Sequence, residues 1–102
     1  MLHFKKILCP TDFSEPAQCA WRTALALASQ GQSELCLLHV VPRDELAPGQ
    51  ADPTQAQRHL ESQIRDDAPP SLQVRAAVRR GDATTEILRT AKDEEMDLIV
   101  MA

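Results

Sequence analysis

Few side chains in this chain are suited to chemistry, and most of them stand at turns. Thr11, Asp12 and Ser14 follow directly on Pro10. Asp12 could meet a ligand, or it could bond its own backbone as a turn former, and the residue types alone put the turn first. His39 sits inside an apolar run with no second histidine or carboxylate in pattern with it. It reads as a satisfied core or strand-end histidine before a base or a ligand. Cys9, Cys19 and Cys36 are odd in number and lack a C-x-x-C pairing, which argues against a disulfide framework or a zinc site. Cys9 and Cys36 fall in the first two apolar runs and could approach each other only if those runs are neighbouring strands. Buried cysteine ordinarily acts as a small hydrophobe, with a redox pair as the alternative. Gly81-Asp82 reads as a helix cap rather than an anion nest. Arg79-Arg80 could meet phosphates but reads as a solvated edge. Asp93-Glu94-Glu95 forms the polar end of a helix, where negative charge is unfavourable. No nucleophile–base–orienter set, metal-spaced cluster or phosphate-cradling loop can be assembled from these residues, so the sequence does not read as an enzyme.

The elements that must position these residues alternate. Ile7-Leu8-Cys9 is a short apolar strand, spanning about residues 4–9 and stopped by Pro10. Ser14 caps a helix that Pro16 enters in its first turn. That helix carries Ala17, Ala20, Trp21, Ala24, Leu25 and Ala28 on one stripe, and Gly31 is placed for a left-handed stop. A second apolar run, Leu35 to Val41, ends at Pro42. Residues 42–53 shift to Pro, Gly, Asp and Gln, a surface loop. Asp52-Pro53 starts a peripheral helix with a thin stripe of Ala56, Leu60 and Ile64, ended by Pro69-Pro70. Residues 72–78 alternate imperfectly, as an edge strand does. Gly81-Asp82 opens a helix with Ile87, Leu88 and Ala91 inward, and residues 97–102 form a last buried strand. Consecutive apolar residues suit strands covered on both faces, and strand–helix alternation predicts right-handed crossovers and a parallel sheet.

Bulk composition sets the outer limits. The chain has 102 residues, room for one core and no second domain. Its formal net charge of −4 gives no support for nucleic acid or an anionic membrane as partner. Phe4, Phe13 and Trp21 are too few aromatics for a stacking platform on single strands. No apolar run approaches the ~20 residues that span a bilayer, and the start lacks a signal peptide's apolar region. The expected compartment is the cytoplasm.

Four motifs in order resemble one family. Ile7-Leu8-Cys9-Pro10-Thr11-Asp12-Phe13-Ser14-Glu15 is similar to the opening motif of universal stress proteins, and Leu37-Leu38-His39-Val40-Val41 to their second strand. Gly81-Asp82-Ala83 followed by Glu86-Ile87-Leu88 resembles the start of their third helix, and Asp97 to Met101 their fourth strand. The resemblance implies an α/β, Rossmann-like fold of the adenine nucleotide α-hydrolase type. Over residues 1–102 it predicts one domain with strands in order 3-2-1-4, lacking the family's last helix and strand.

The resemblance also implies a site and a ligand. Pro10, Thr11, Asp12, Val41, Met101 and Ala102 become the cofactor-binding candidates, with Asp12 meeting the nucleotide, the Val41 backbone meeting adenine and Met101 walling it. The implied cofactor is ATP, with no metal beyond nucleotide-bound magnesium. The family's glycine-rich phosphate loop would follow the fourth strand, where glycine lets backbone N–H groups approach phosphate oxygens. Here the sequence stops at Ala102, where the family commonly has Gly. Part of the apolar surface around Leu98 to Met101 and the first strand is then expected to be uncovered, and strand four to be an open edge. Either a homodimer through that edge and face or a fragment of a longer chain is expected. The implied function is a cytoplasmic stress-response module that binds adenine nucleotide when complete. A dimerising interaction module without nucleotide, and an ATP-dependent enzyme of the α-hydrolase group, are the alternatives.

Overall fold

The computed structural model describes residues 3–43 and 52–102. Most of the expected loop, residues 44–51, lies outside the described residues. The order of elements is β1 (Lys6–Pro10), α1 (Glu15–Gly31), β2 (Glu34–Val41), α2 (Pro53–Asp67), β3 (Val74–Arg80), α3 (Ala83–Asp93) and β4 (Leu98–Ile99). The strands form one parallel sheet in the order β3-β2-β1-β4, the order that the family resemblance implies.

Right-handed crossovers then decide which face each helix covers. Helices α1 and α2 share one face, where Trp21, Ala24, Ala28 and Leu60 pack on Ile7, Cys9, Leu35 and Leu37. Helix α3 covers the other, with Ile87 against Leu8, Cys36 and Leu38. Trp21 is fully buried, and its indole N–H donates to Asp67 Oδ2 at 2.8 Å, tying α1 to the end of α2.

Helix starts follow the sequence closely. Ser14 Oγ accepts from the Ala17 N–H, Asp52 Oδ1 from the Thr54 N–H and Asp82 Oδ2 from the Thr85 N–H. Each relieves one of the donors that a helix leaves unpaired at its start. The stop of α1 differs: Gly31 is its last helical residue, and Gln32 takes the left-handed position at φ 51°.

Four further expectations are corrected. Only Leu98 and Ile99 of the last run pair as a strand, and both are half-buried rather than buried. Leu88 points outward, 59% exposed, because the inward stripe of α3 is Glu86, Ile87 and Thr90. Strand β1 is covered on both faces from Ile7 to Pro10, so the apolar exposure expected there does not extend to it. Cys9 and Cys36 are one register step apart on adjacent strands, Leu8 facing Cys36 and Cys9 facing Leu37. Side chains alternate across a strand, so Cys9 joins the α1/α2 core and Cys36 the α3 core. A redox pair is excluded by that parity.

The acidic end of α3 has a physical account in three dimensions. The Glu94 carboxylate pairs with Arg75 and, at 3.6 Å, with Arg79, both on β3, while Lys6 Nζ donates to the Glu94 carbonyl at 2.9 Å. These cations offset the unfavourable charge at the helix end.

Candidate functional site

The carboxyl ends of β1, β2 and β4 open into a crevice of about 180 Å³. Pro10 ends β1, and Thr11 and Asp12 form the turn that follows. Leu38, His39 and Val40 come from β2, Ala83 and Ile87 from the first turns of α3, and Met101 and Ala102 follow β4. Five of the six residues named from the sequence, Pro10, Thr11, Asp12, Met101 and Ala102, therefore meet around one concavity.

Val41 stands apart. It packs on the α1/α2 side, where it lines a separate groove with Phe13 and His59, and its carbonyl accepts from the Gly81 N–H at 2.9 Å. Val40 takes the place in the crevice, on the α3 side of the sheet. The signal that could have found Val40 is parity with Leu38, two residues before it on the same face.

The polar rim is a wound turn. Thr11 is buried; its N–H donates to the Leu38 carbonyl at 2.8 Å and its hydroxyl accepts from the Phe13 N–H at 3.0 Å. Asp12 Oδ1 accepts from the Ser14 N–H at 3.0 Å. The Ser14 hydroxyl and then its N–H hold the Asp12 carboxyl below the usual carboxylate range. Asp12 is thus both turn former and ionised acceptor, exposed at the rim. An ionised carboxylate only accepts, so it suits donors on a ligand: hydroxyls or an amino group.

Both helix starts beside the crevice already carry negative charge. Glu15 lies in the first turn of α1. Asp82 caps α3, its carboxyl held below the usual range by the Thr85 N–H and hydroxyl, and Glu86 follows in the first turn. A helix N-terminus attracts anions, but here its partial positive charge already faces carboxylates. Among the described residues, no group of His, Cys, Asp or Glu could hold a metal ion, and no helix is long and apolar enough to cross a membrane.

Fold and crevice together define an open parallel α/β domain with its concavity at the strand carboxyl ends, the position where such sheets bind ligands. The profile of the Universal stress protein family matches residues 3–102, and the chain belongs to that family. It is 26% identical to universal stress protein MJ0577 of Methanocaldococcus jannaschii, over 96% of this chain and 75% of that one. The solved structure of hypothetical protein MJ0577 superposes with a TM-score of 0.79 at 29% identity, covering 96% of this chain and 73% of that one. Universal stress protein UspA from Lactobacillus plantarum gives a TM-score of 0.77 at 25% identity, covering 99% and 78%. A universal stress protein solved in complex with cAMP shares the fold, with a TM-score of 0.74 at 15% identity over 97% of this chain and 76% of that one.

Proposed function

We propose that this chain is a cytoplasmic stress-response module that takes an adenine nucleotide at the crevice, its described residues holding the base and ribose. The observation that carries the reading is the convergence of Pro10, Thr11, Asp12, Val40, Met101 and Ala102 from separate strands around one cavity. Apolar walls from Pro10, Leu38, Val40, Ile87 and Met101 suit a flat ring, with a thioether to lie against it. Asp12 accepts from ribose hydroxyls or the exocyclic amine.

A volume of about 180 Å³ falls below the ~300 Å³ at the small end of ligand pockets, which suits part of a nucleotide rather than the whole. Carboxylates at both neighbouring helix starts disfavour phosphate there. Magnesium enters this reading only with a bound triphosphate.

Calorimetric titration of the 102-residue chain with adenosine, cAMP and magnesium–ATP tests it. Adenosine has about 19 non-hydrogen atoms, and about −0.3 kcal/mol for each gives a Kd on the order of 100 µM. Adenosine and ATP should bind within a few-fold of each other. Absence of adenosine binding at millimolar concentration would overturn the reading.

A second reading, a module that dimerises along the β4 edge, is favoured by Met101, which follows β4 and is 52% exposed. Sedimentation should then show a dimer that persists without nucleotide. A monomer at all concentrations would contradict it.

A further inference from the structure

The Thr11–Phe13 turn at the crevice rim is held from behind, by residues of β2 and α2. Phe13 is not a glycine, yet its φ is 65°, in the left-handed region that bulky side chains avoid. What over-determines that conformation is a sandwich of rings. The Phe13 ring lies 4.0 Å from the His59 ring, with 7° between their planes, and 4.7 Å from the His39 ring, tilted by 41°. His39 Nδ1 is 2.8 Å from the Thr11 carbonyl. A carbonyl only accepts, so Nδ1 carries the hydrogen and donates it. The Phe13 N–H donates in turn to Thr11 Oγ1. Thr11 is thereby fixed at its N–H, carbonyl and hydroxyl, and Asp12 leaves it in one direction.

We propose that His39 is the positioning residue of this site. It clamps Thr11 by its Nδ1–H and, with His59 of α2, stacks Phe13 so that Thr11 and Asp12 face the crevice. His39 reaches both sides of the turn, since it lines the crevice and the groove behind it. Packing of α2 and occupancy of the crevice are then linked through one ring stack. The consequence for affinity rests on the adenine-nucleotide reading; the clamp itself does not.

Two measurements on the ligand-free chain test the clamp directly. Nitrogen-detected NMR of His39 should show the Nδ1–H tautomer at neutral pH, and the Nε2–H tautomer would overturn the proposal. His39→Ala should speed hydrogen exchange at the Phe13 amide, and unchanged exchange would also overturn it. With adenosine, His39→Ala should weaken binding about tenfold, as expected for a lost hydrogen bond and ring contact. His39→Asn, whose amide can still donate to Thr11, should recover about half of that loss in logarithmic terms. No recovery would overturn the clamp.

His59 is exposed on α2, so His59→Ala leaves the core intact, and it should cost about threefold in affinity through the stack alone. Faster exchange at Phe13 in His59→Ala supports the clamp, and unaltered exchange contradicts it. If the parent chain fails to bind adenosine while tautomer and exchange behave as expected, the clamp stands and the nucleotide reading falls.

Discussion

The two faces of the sheet solve the same packing problem with different means. On the α1/α2 face, two helices bring Trp21, Ala24, Ala28 and Leu60 onto Ile7, Cys9, Leu35 and Leu37, all fully or almost fully buried. On the other face α3 is the one covering helix among the described residues. Ile87 is its single fully apolar buried contribution, and Leu88 and Met101 remain exposed nearby. Polar groups complete that second face: Thr90 donates to the Glu86 carbonyl at 2.8 Å, and Glu94 draws Arg75 and Arg79 across the β3 side. The first face carries stability. The second leaves room at the strand ends, and the crevice opens there.

The comparison breaks first at the cores. Trp21→Ala should cost about 3–5 kcal/mol of unfolding free energy, and Ile87→Ala only about 2, at the low end for a buried aliphatic. Urea unfolding of both variants measures this. Equal costs would show that the faces are not unequal after all.

The two buried thiols sharpen it next. Burial, with Cys36 nearby, pushes Cys9 from 9.0 up to about 12. Cys36 is raised by burial too, but Arg75 and Arg79 pull it back. A folded pKa above the unfolded one gives stability that is complete below pH ~9 and lost as pH climbs toward ~12. The slope from Cys9 should be about 1.4 kcal/mol per pH unit in that window. Cys9→Ala should flatten it in unfolding measured from pH 8 to 10.5. A slope unchanged by Cys9→Ala would mean the Cys9 thiol is not held neutral by that core.

The smallest effect belongs to the ion pairs. Glu94→Gln should cost less than about 1 kcal/mol, and still less in high salt, because Arg75 is half-exposed. A loss as large as that of Ile87→Ala would make the polar cluster, rather than α3's apolar stripe, the anchor of that face.

These contrasts explain what could be read in the sequence. Caps at Ser14, Asp52 and Asp82 are local, so residue type and spacing reveal them. Parallel pairing follows from alternation and crossover handedness, and strand order from the family resemblance. The facing of each alternate set does not. Alternation groups Leu38 with Val40 and Leu37 with Val41. A strand covered on both faces is apolar at every position, however, so nothing in Leu37-Leu38-His39-Val40-Val41 tells which set turns toward the crevice. The same blindness hid Val40 behind Val41 and made Cys9 and Cys36 look like potential partners. The outward turn of Leu88 was illegible because Glu86 and Thr90 are buried through partners, Arg89 and a helix carbonyl, that a polarity pattern does not weigh. Glu94's partners lie on β3, too far along the chain for spacing to show.

One measurement addresses the central claim most directly: backbone-amide NMR of the 102-residue chain titrated with adenosine. Saturable shifts should concentrate at Thr11, Asp12, Val40, Met101 and Ala102, leaving the opposite end of the sheet around residues 72–75 unchanged. Saturable shifts confined to that opposite end, or no shifts at millimolar adenosine, would contradict a base-binding crevice at the strand tips.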